Sequence, residues 1–516
     1  MNLFRPVCLV LIASVTLPGC STNPVTGANE FSIVSEQQEL AIGAQQYSPA
    51  RQSQGGDFTA DESLSRYVNQ VGQRLAAVSD RDLPYEFTVL NNGVPNAWAL
   101  PGGKIAVNRG LLVELNSEAE LAAVLGHEIV HAAARHGAQM VTRGTLLQGA
   151  LIASAVASSD SEYSNLIVGG AQLGAQLISQ SYGREAEREA DLYGIRYMVA
   201  AGYDPMAAVT LQQTFVRLSE GRSSGWLEGL FSSHPPSQER VDNNRALVNQ
   251  MQAEIAGRNL ELGEDRYRQE TAFLRQSQPA YALMDEAEED INDDDLESAM
   301  NKLRRASEQV PTEARFIGLQ ADILLYQRRY RESITTYNRA VALDSNYFDY
   351  YLGRGVAYSR TNARAEARRD LERSAELLPT AIAANELGKL SLAAGNRNQA
   401  KQYFQLAASG EGAVSAEARQ AFIQLDRVDN PRTYLQAEPV LGDNRRLFAR
   451  VVNQSGADMV NVVVNFNAAV ADQSGEVNQT IGFLPAGATV DVDSGENLPA
   501  GTIHRLTVTI TRATPR

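Results

Sequence analysis

GHEIVHAAARHG, residues 126–137, holds three of the five histidines in a chain of 516 residues, two of them set about a glutamate. With histidine this scarce, an accidental H-E-x-x-H would arise in about 0.3% of chains of this length, so the pattern asks for a chemical reading. On a helix at 100° per residue His127 and His131 lie about 40° apart, stacked on one face within reach of one ion. Glu128 sits one step round from His127, where it can face a metal-bound water without being a ligand. His136 falls about 140° from His131 on the same count and is expected to point elsewhere.

The metzincin pattern H-E-x-x-H-x-x-G-x-x-H needs glycine at 134 and histidine at 137, where this chain has Ala134 and Gly137. A third ligand must then come from another segment, and catalytic zinc accepts a His₂Glu set with its fourth position open. SYGREAEREADLYGIRYMVAAGYDP, residues 181–205, reads as an acidic helix ended before Pro205, with Ala190 and Gly194 small enough for another helix to approach closely. Glu187 and Asp191 share one face, so one can bind metal while the other accepts the free N–H of a ligating histidine. Glu185 and Glu189 share another face equally well. Spacing alone leaves Glu185 and Glu187 in competition, and a solvated face paired with Arg184 and Arg188 would give the same pattern without metal.

The pair H-E-x-x-H-x-x-x-R-H (His127–His136) and E-x-E-A-D (Glu187–Asp191) resembles the gluzincin peptidases of the HtpX, CAAX prenyl protease and BepA type. Two further elements carry the resemblance: NAWALPGGKIAVNRGLL (Asn96–Leu112) and SHPPSQER (Ser233–Arg240). The resemblance carried by these four motifs covers roughly residues 30–250. The resemblance implies that Glu187 is the third zinc ligand beside His127 and His131, with Asp191 behind them. It also implies that His234 and Arg240 stabilise the oxyanion, a type of contribution worth about 3 kcal/mol per donor. Zn²⁺ in such a site lowers the pKa of its water to about 7, and Glu128 takes the proton and passes it to the leaving amine. An alternative for His234 is that it fills the open zinc position and keeps the enzyme latent. KIAVNRGLL reads as an edge strand on which an extended, unfolded polypeptide could pair through its main chain.

MNLFRPVCLVLIASVTLPGC has one early positive charge, an apolar run too short to span a bilayer, and a small residue before Cys20. It resembles a bacterial lipoprotein signal, which implies lipidation at Cys20; Ser21 after it implies sorting to the outer membrane. Cys8 would leave with the signal, so no disulfide is expected, and several acyl chains would give a stable anchor facing the periplasm. Two further apolar runs, from Gly144 and from Ser164, are interrupted by Gln148, Gln172 and Gln176 and read as buried Ala/Gly-rich helices rather than spans.

Beyond a polar helical connector the composition changes. Ala299, Leu303 and Ala306 recur as Ser333, Tyr337 and Ala340, then as Ala367, Leu371 and Ser374, then as Ala400, Phe404 and Ala407; Ala321, Gly355 and Gly388 repeat in step. The 34-residue spacing is the tetratricopeptide (TPR) period, in which helix pairs stack into a solenoid whose concave face binds a protein partner. From Arg432 alternating Val-rich runs and turn signals at Ser455-Gly456, Ser474-Gly475 and Pro485-Ala486-Gly487 favour a small antiparallel β-sandwich, and His504 there reads as structural.

The expected chain is therefore multidomain and mainly α. A signal peptide (1–19) precedes a zincin-like α+β metalloprotease domain (20–270), a TPR α-solenoid of about four repeats (271–428) and a β-sandwich module (429–516). A net charge of −15 argues against nucleic acid and anionic lipid surfaces as partners. Two functions of different class remain: a zinc endopeptidase acting on unfolded or misassembled envelope proteins, and a TPR adaptor or chaperone for outer-membrane assembly whose protease site is largely latent.

Overall fold

The computed structural model describes residues 20–152, 182–221, 234–470 and 473–516. The expected signal peptide, Ser233, the second Ala/Gly-rich run and the end of the first lie outside these. Two compact units are present, one ending at Asn362 and taking back Glu376–Pro379, the other comprising Ala363–Ala375 and Thr380–Arg516.

The first unit begins with a hairpin, β1 (Cys20–Thr22) paired antiparallel with β2 (Asn29–Phe31), followed by α1 (Glu36–Ser53) and α2 (Glu62–Ala76). A three-stranded sheet follows: β3 (Glu86–Leu90), β4 (Ala97–Leu100) and β5 (Lys104–Asn108), in the order β3-β5-β4. KIAVN is thus the central strand, parallel to β3 and antiparallel to β4, and cannot accept a further chain. The edge expected there belongs instead to β4, the NAWAL segment. Alternation in a five-residue apolar run does not reveal how many neighbours it has, since a central strand and a buried edge read alike.

A short α3 (Arg109–Leu112) leads to α4 (Glu118–Ala133), which carries the H-E-x-x-H. Ser117 caps α4 by accepting from the Glu120 amide, and Glu118 and Glu120 place negative charge at the positive end of the helix dipole. Of its sixteen residues only His127 is not buried, as a helix apolar on every face requires. α4 ends because Arg135 turns into the left-handed region (φ 64°), after which α5 (His136–Ile152) departs in a new direction.

The acidic segment forms α6 (Arg184–Ala200), followed by α7 (Met206–Gly221) and α8 (Gln238–Gln250). α4 and α6 meet glycine to glycine. A Cβ on Gly194 would stand 3.1 Å from the His127 backbone nitrogen, and one on Gly126 would stand 3.1 Å from the Gly194 carbonyl. This contact brings the acidic face of α6 onto the histidine face of α4. Gly194→Val is expected to force the helices apart, costing about 1–3 kcal/mol by overpacking and weakening metal binding, as thermal unfolding and a zinc titration would show.

Short helices α9 (Gln252–Ile255), α10 (Glu264–Glu270) and α11 (Ala272–Gln276) lead to the repeat helices of this unit: α12 (Gln278–Asn292), α13 (Leu296–Gln309), α14 (Ala314–Tyr326), α15 (Tyr330–Leu343) and α16 (Phe348–Arg360). Ala299, Leu303, Ala306, Ala321, Tyr337 and Ala340 are fully buried, and Ser333 fits a small-residue position by donating to the Ala321 carbonyl at 3.1 Å. These hairpins pack on the core built by the preceding helices and the three-stranded sheet rather than trailing from it. The buried Arg109 guanidinium lies 3.7 Å from the Tyr281 ring centroid, Asn91 donates to Glu313, and Gln52 donates to the Asn346 carbonyl.

In the second unit α17 (Arg364–Leu377), α18 (Ala381–Ala393), α19 (Arg397–Ala408) and α20 (Ala413–Asp429) continue the repeat, with Ala367, Leu371, Ser374, Ala400, Phe404 and Ala407 buried. Six strands complete it: β6 (Leu435–Leu441), β7 (Arg446–Asn453), β8 (Met459–Val470), β9 (Gln473–Leu484), β10 (Thr489–Asn497) and β11 (Ile503–Pro515). They form antiparallel sheets in the orders β10-β7-β6 and β11-β8-β9. Leu447, Ala449 and Val451 of one share a core with Val462, Val464 and Phe466 of the other, so the expected sandwich is present. No helix among the described residues is long and apolar enough to cross a membrane.

Candidate metal centre

Four side chains converge between α4, α6 and the segment before α8. His127, His131, Glu187 and His234 each offer one ligand atom, all within 4.8 Å of one another. His127 Nε2 lies 3.1 Å from His131 Nε2 and 3.3 Å from His234 Nδ1; Glu187 Oε1 lies 2.9 Å from His234 Nδ1 and 3.5 Å from His131 Nε2. Ligand atoms on zinc arms of 2.0–2.1 Å stand about 3.3 Å apart at the edges of a tetrahedron, so the spacing of this set fits one zinc ion. Glu187, not Glu185, faces the histidines.

Charge agrees with that fit. Burial opposes charge on His127, but hydrogen bonds and the charges of Asp191 and Glu187 outweigh it and push its pKa up to about 10. Burial drives His131 well below the ordinary imidazole range. Burial would raise Glu187, yet His234 and hydrogen bonds from His127 and His131 hold it far below the usual carboxylate range. The buried carboxylates thus concentrate negative potential where three imidazole nitrogens point, which suits a divalent cation.

Around the ligands, His127 Nδ1 meets Asp191 Oδ1 at 3.0 Å, the carboxylate–histidine contact expected of a zinc ligand. Arg240 grips Asp191 with two bonds, Nε to Oδ2 at 2.8 Å and Nη2 to Oδ1 at 2.7 Å, and its Nη1 lies 3.1 Å from Glu187 Oε2. Glu128 is buried outside the ligand set. Its Oε1 stands 3.6 Å from His234 Nε2, its Oε2 has no hydrogen-bond partner, and burial pushes its carboxyl above the usual range. A cleft of about 590 Å³ runs past Tyr182, Glu187, Asp191, Pro235 and Arg240, with Arg184 and Arg188 at its rim. A small apolar cavity lined by Ala97, Val124, Ile195 and Phe215 adjoins Glu128 on the β4 side.

Two site residues escaped the sequence. Tyr182 stacks on His131, ring centroids 3.9 Å apart and planes at 16°, and nothing in its spacing signals this. His136 does not point away as the helical count implied: its Nδ1 is 2.8 Å from His131 Nδ1. The count fails because α4 has ended, and the left-handed Arg135 folds His136 back.

Residues 62–248 match the model of peptidase family M48, and residues 321–362 match a TPR repeat model. A putative beta-barrel assembly-enhancing protease of Vibrio cholerae serotype O1 is 29% identical over 48% of this chain and 52% of its own length. The beta-barrel assembly-enhancing protease of Escherichia coli K12 is 28% identical over 46% of this chain and 50% of its own. Mitochondrial metalloendopeptidase OMA1 of Schizosaccharomyces pombe is 32% identical over 42% and 63%. The chain spans about half the length of the bacterial relatives it matches.

Proposed function

We propose that this TPR-bearing chain with an M48 peptidase domain is a zinc-dependent endopeptidase of the bacterial cell envelope that removes unfolded or misassembled proteins. The observation that carries the reading is the convergence of His127, His131, Glu187 and His234 ligand atoms with the carboxylate of Glu128 beside them and outside the set. His127, His131 and Glu187 would hold Zn²⁺, which when bound acidifies water and polarises the scissile carbonyl. Glu128 takes the proton through its unpartnered Oε2 and returns it to the leaving nitrogen. Asp191 fixes His127 with its hydrogen on Nδ1, and Arg240 holds Asp191 and Glu187 in place. An extended substrate would pair by its main chain with the outer edge of β4 (Ala97–Leu100), which favours loose sequence preference.

His234 supports a resting state. Its Nδ1 is within the ligand set, so it would fill the position a substrate carbonyl needs, leaving Arg240 as the donor for the oxyanion. Latency suits a protease living among its own compartment's proteins, and joins the adaptor reading to the enzymatic one: the TPR array would dock outer-membrane assembly machinery, a reading supported by the beta-barrel assembly-enhancing names of the bacterial relatives, and substrate would displace His234. Cys20, at the start of β1, would carry the lipid anchor that holds the protein at the periplasmic face of the outer membrane.

The test is cleavage of reduced, unfolded casein by protein beginning after Cys20, before and after chelation. One zinc per chain, activity lost on chelation and restored by one equivalent of zinc, is expected; zinc-independent cleavage or no zinc uptake would remove the reading. His234→Ala is expected to keep zinc and raise cleavage several-fold, and activity at or below wild type would count against latency.

A further inference from the structure

His127 and His131 turn their Nε2 atoms toward each other in the ligand set and would hold the metal through them, while their Nδ1 atoms are served differently. His127 Nδ1 meets the Asp191 carboxylate directly. His131 Nδ1 meets another imidazole, that of His136, at 2.8 Å. Two nitrogens at that distance need one donor and one acceptor. A histidine that gives Nε2 to a metal keeps its hydrogen on Nδ1, so His131 donates, His136 accepts at Nδ1, and the hydrogen of neutral His136 lies on Nε2. That atom is 3.6 Å from Glu189 Oε1.

Glu189 is held in turn from the N-terminal hairpin. Asn23 Nδ2 donates to Glu189 Oε1 at 2.9 Å and reaches Glu30 Oε1 at 3.1 Å, while Gln139 donates to Glu30 Oε2. Asn23 Oδ1 is occupied by the Val25 and Thr26 amides, which fixes the turn between β1 and β2. His131, His136 and Asn23 are all at least 96% buried, so the imidazole pair and the turn amide are shielded from solvent, while Glu189 between them is partly exposed.

We propose that His136, Glu189 and Asn23 are positioning residues forming a relay that sets the tautomer and orientation of the zinc ligand His131 and couples zinc affinity to docking of the N-terminal hairpin. The inference rests on the zinc-site reading above. In place of a carboxylate on the ligand itself, the relay inserts one imidazole and delivers the carboxylate of Glu189 beyond it. The hairpin that starts at Cys20 then contributes to holding the metal although none of its residues is a ligand. A hairpin pulled from its seat would free Glu189 and His136 and loosen His131.

The experiment measures zinc affinity by competition with a chromophoric chelator, and the visible spectrum of the cobalt-substituted protein, for wild type, His136→Asn, His136→Leu and Asn23→Asp. Asn at 136 can accept from His131 in place of Nδ1; Leu cannot. Asp at 23 keeps the turn acceptor but turns a carboxylate on Glu189 and Glu30. Loss of such outer partners costs about 10–100-fold in metal affinity, and that loss with a shifted cobalt spectrum is expected for His136→Leu and Asn23→Asp, while His136→Asn stays within a few-fold of wild type. Thermal unfolding of the zinc-free proteins separates this from general destabilisation; Glu189→Gln reads the same relay if His136→Leu does not fold. Wild-type affinity in His136→Leu, or equal losses in the Asn and Leu variants, overturns the relay. Absence of zinc binding in wild type would instead overturn the metal site on which it rests.

Discussion

Glu128→Gln is expected to retain one zinc per chain and to lose cleavage of unfolded protein by about 10²–10⁴-fold, the range that a positioned general base contributes. Three features of the site lead there. Glu128 is buried, so an amide of the same shape fills its place without a cavity. It is absent from the set of four converging ligand atoms, so its removal leaves His127, His131 and Glu187 undisturbed. Its Oε2 is engaged by no donor and is free to accept a proton, which an amide cannot do. Zinc content and steady-state cleavage measured on one preparation separate the possibilities. Loss of zinc along with activity would make Glu128 a structural support, and activity above about a tenth of wild type would move the proton transfer to another group. His234→Ala combined with Glu128→Gln should be as inactive as Glu128→Gln alone, because an open metal position is of no use without the base.

What the sequence carried and what it hid divide along a physical line. His127, Glu128 and His131 were legible because they fall inside one unbroken helix, where 100° per residue holds. Glu187 needed a resemblance to separate it from Glu185, since both stand on plausible faces of α6 and only the glycine contact with α4 selects one. His136 was misplaced because the helical count was carried across Arg135, whose left-handed backbone resets direction. β5 was read as an edge because strand neighbours come from Glu86–Leu90 and Ala97–Leu100, and pairing leaves no mark in a five-residue run. The TPR array was legible because stacking leaves no room at its small positions. The seating of its first hairpins on the N-terminal core was not, because it uses Arg109 under Tyr281, and arginine ordinarily signals surface.

Glu39→Gln is expected to destabilise the protein by about 3–5 kcal/mol, the cost of leaving a buried charge without its partner. Glu39 lies on α1, fully buried, and binds two arginines: Arg81 through Nη1 and Nη2 at 2.8 and 3.0 Å, and Arg135 through Nε at 2.8 Å. The amide preserves shape and one acceptor but removes the only buried negative charge shared by both guanidiniums; Glu36, the other partner of Arg81, is mostly exposed and weakly compensating. Arg135 is also the residue in left-handed backbone that ends α4 and returns His136 to His131, and its Nη2 donates to the Val34 carbonyl at 2.7 Å. Loosening it should therefore weaken zinc as well as the fold. The two effects separate in Arg135→Gly, which adopts the left-handed conformation without strain but abandons Glu39. If charge pairing is what holds this turn, Arg135→Gly loses zinc affinity as Glu39→Gln does. Wild-type affinity in the glycine variant would mean that backbone conformation alone places His136, with Glu39 contributing only stability.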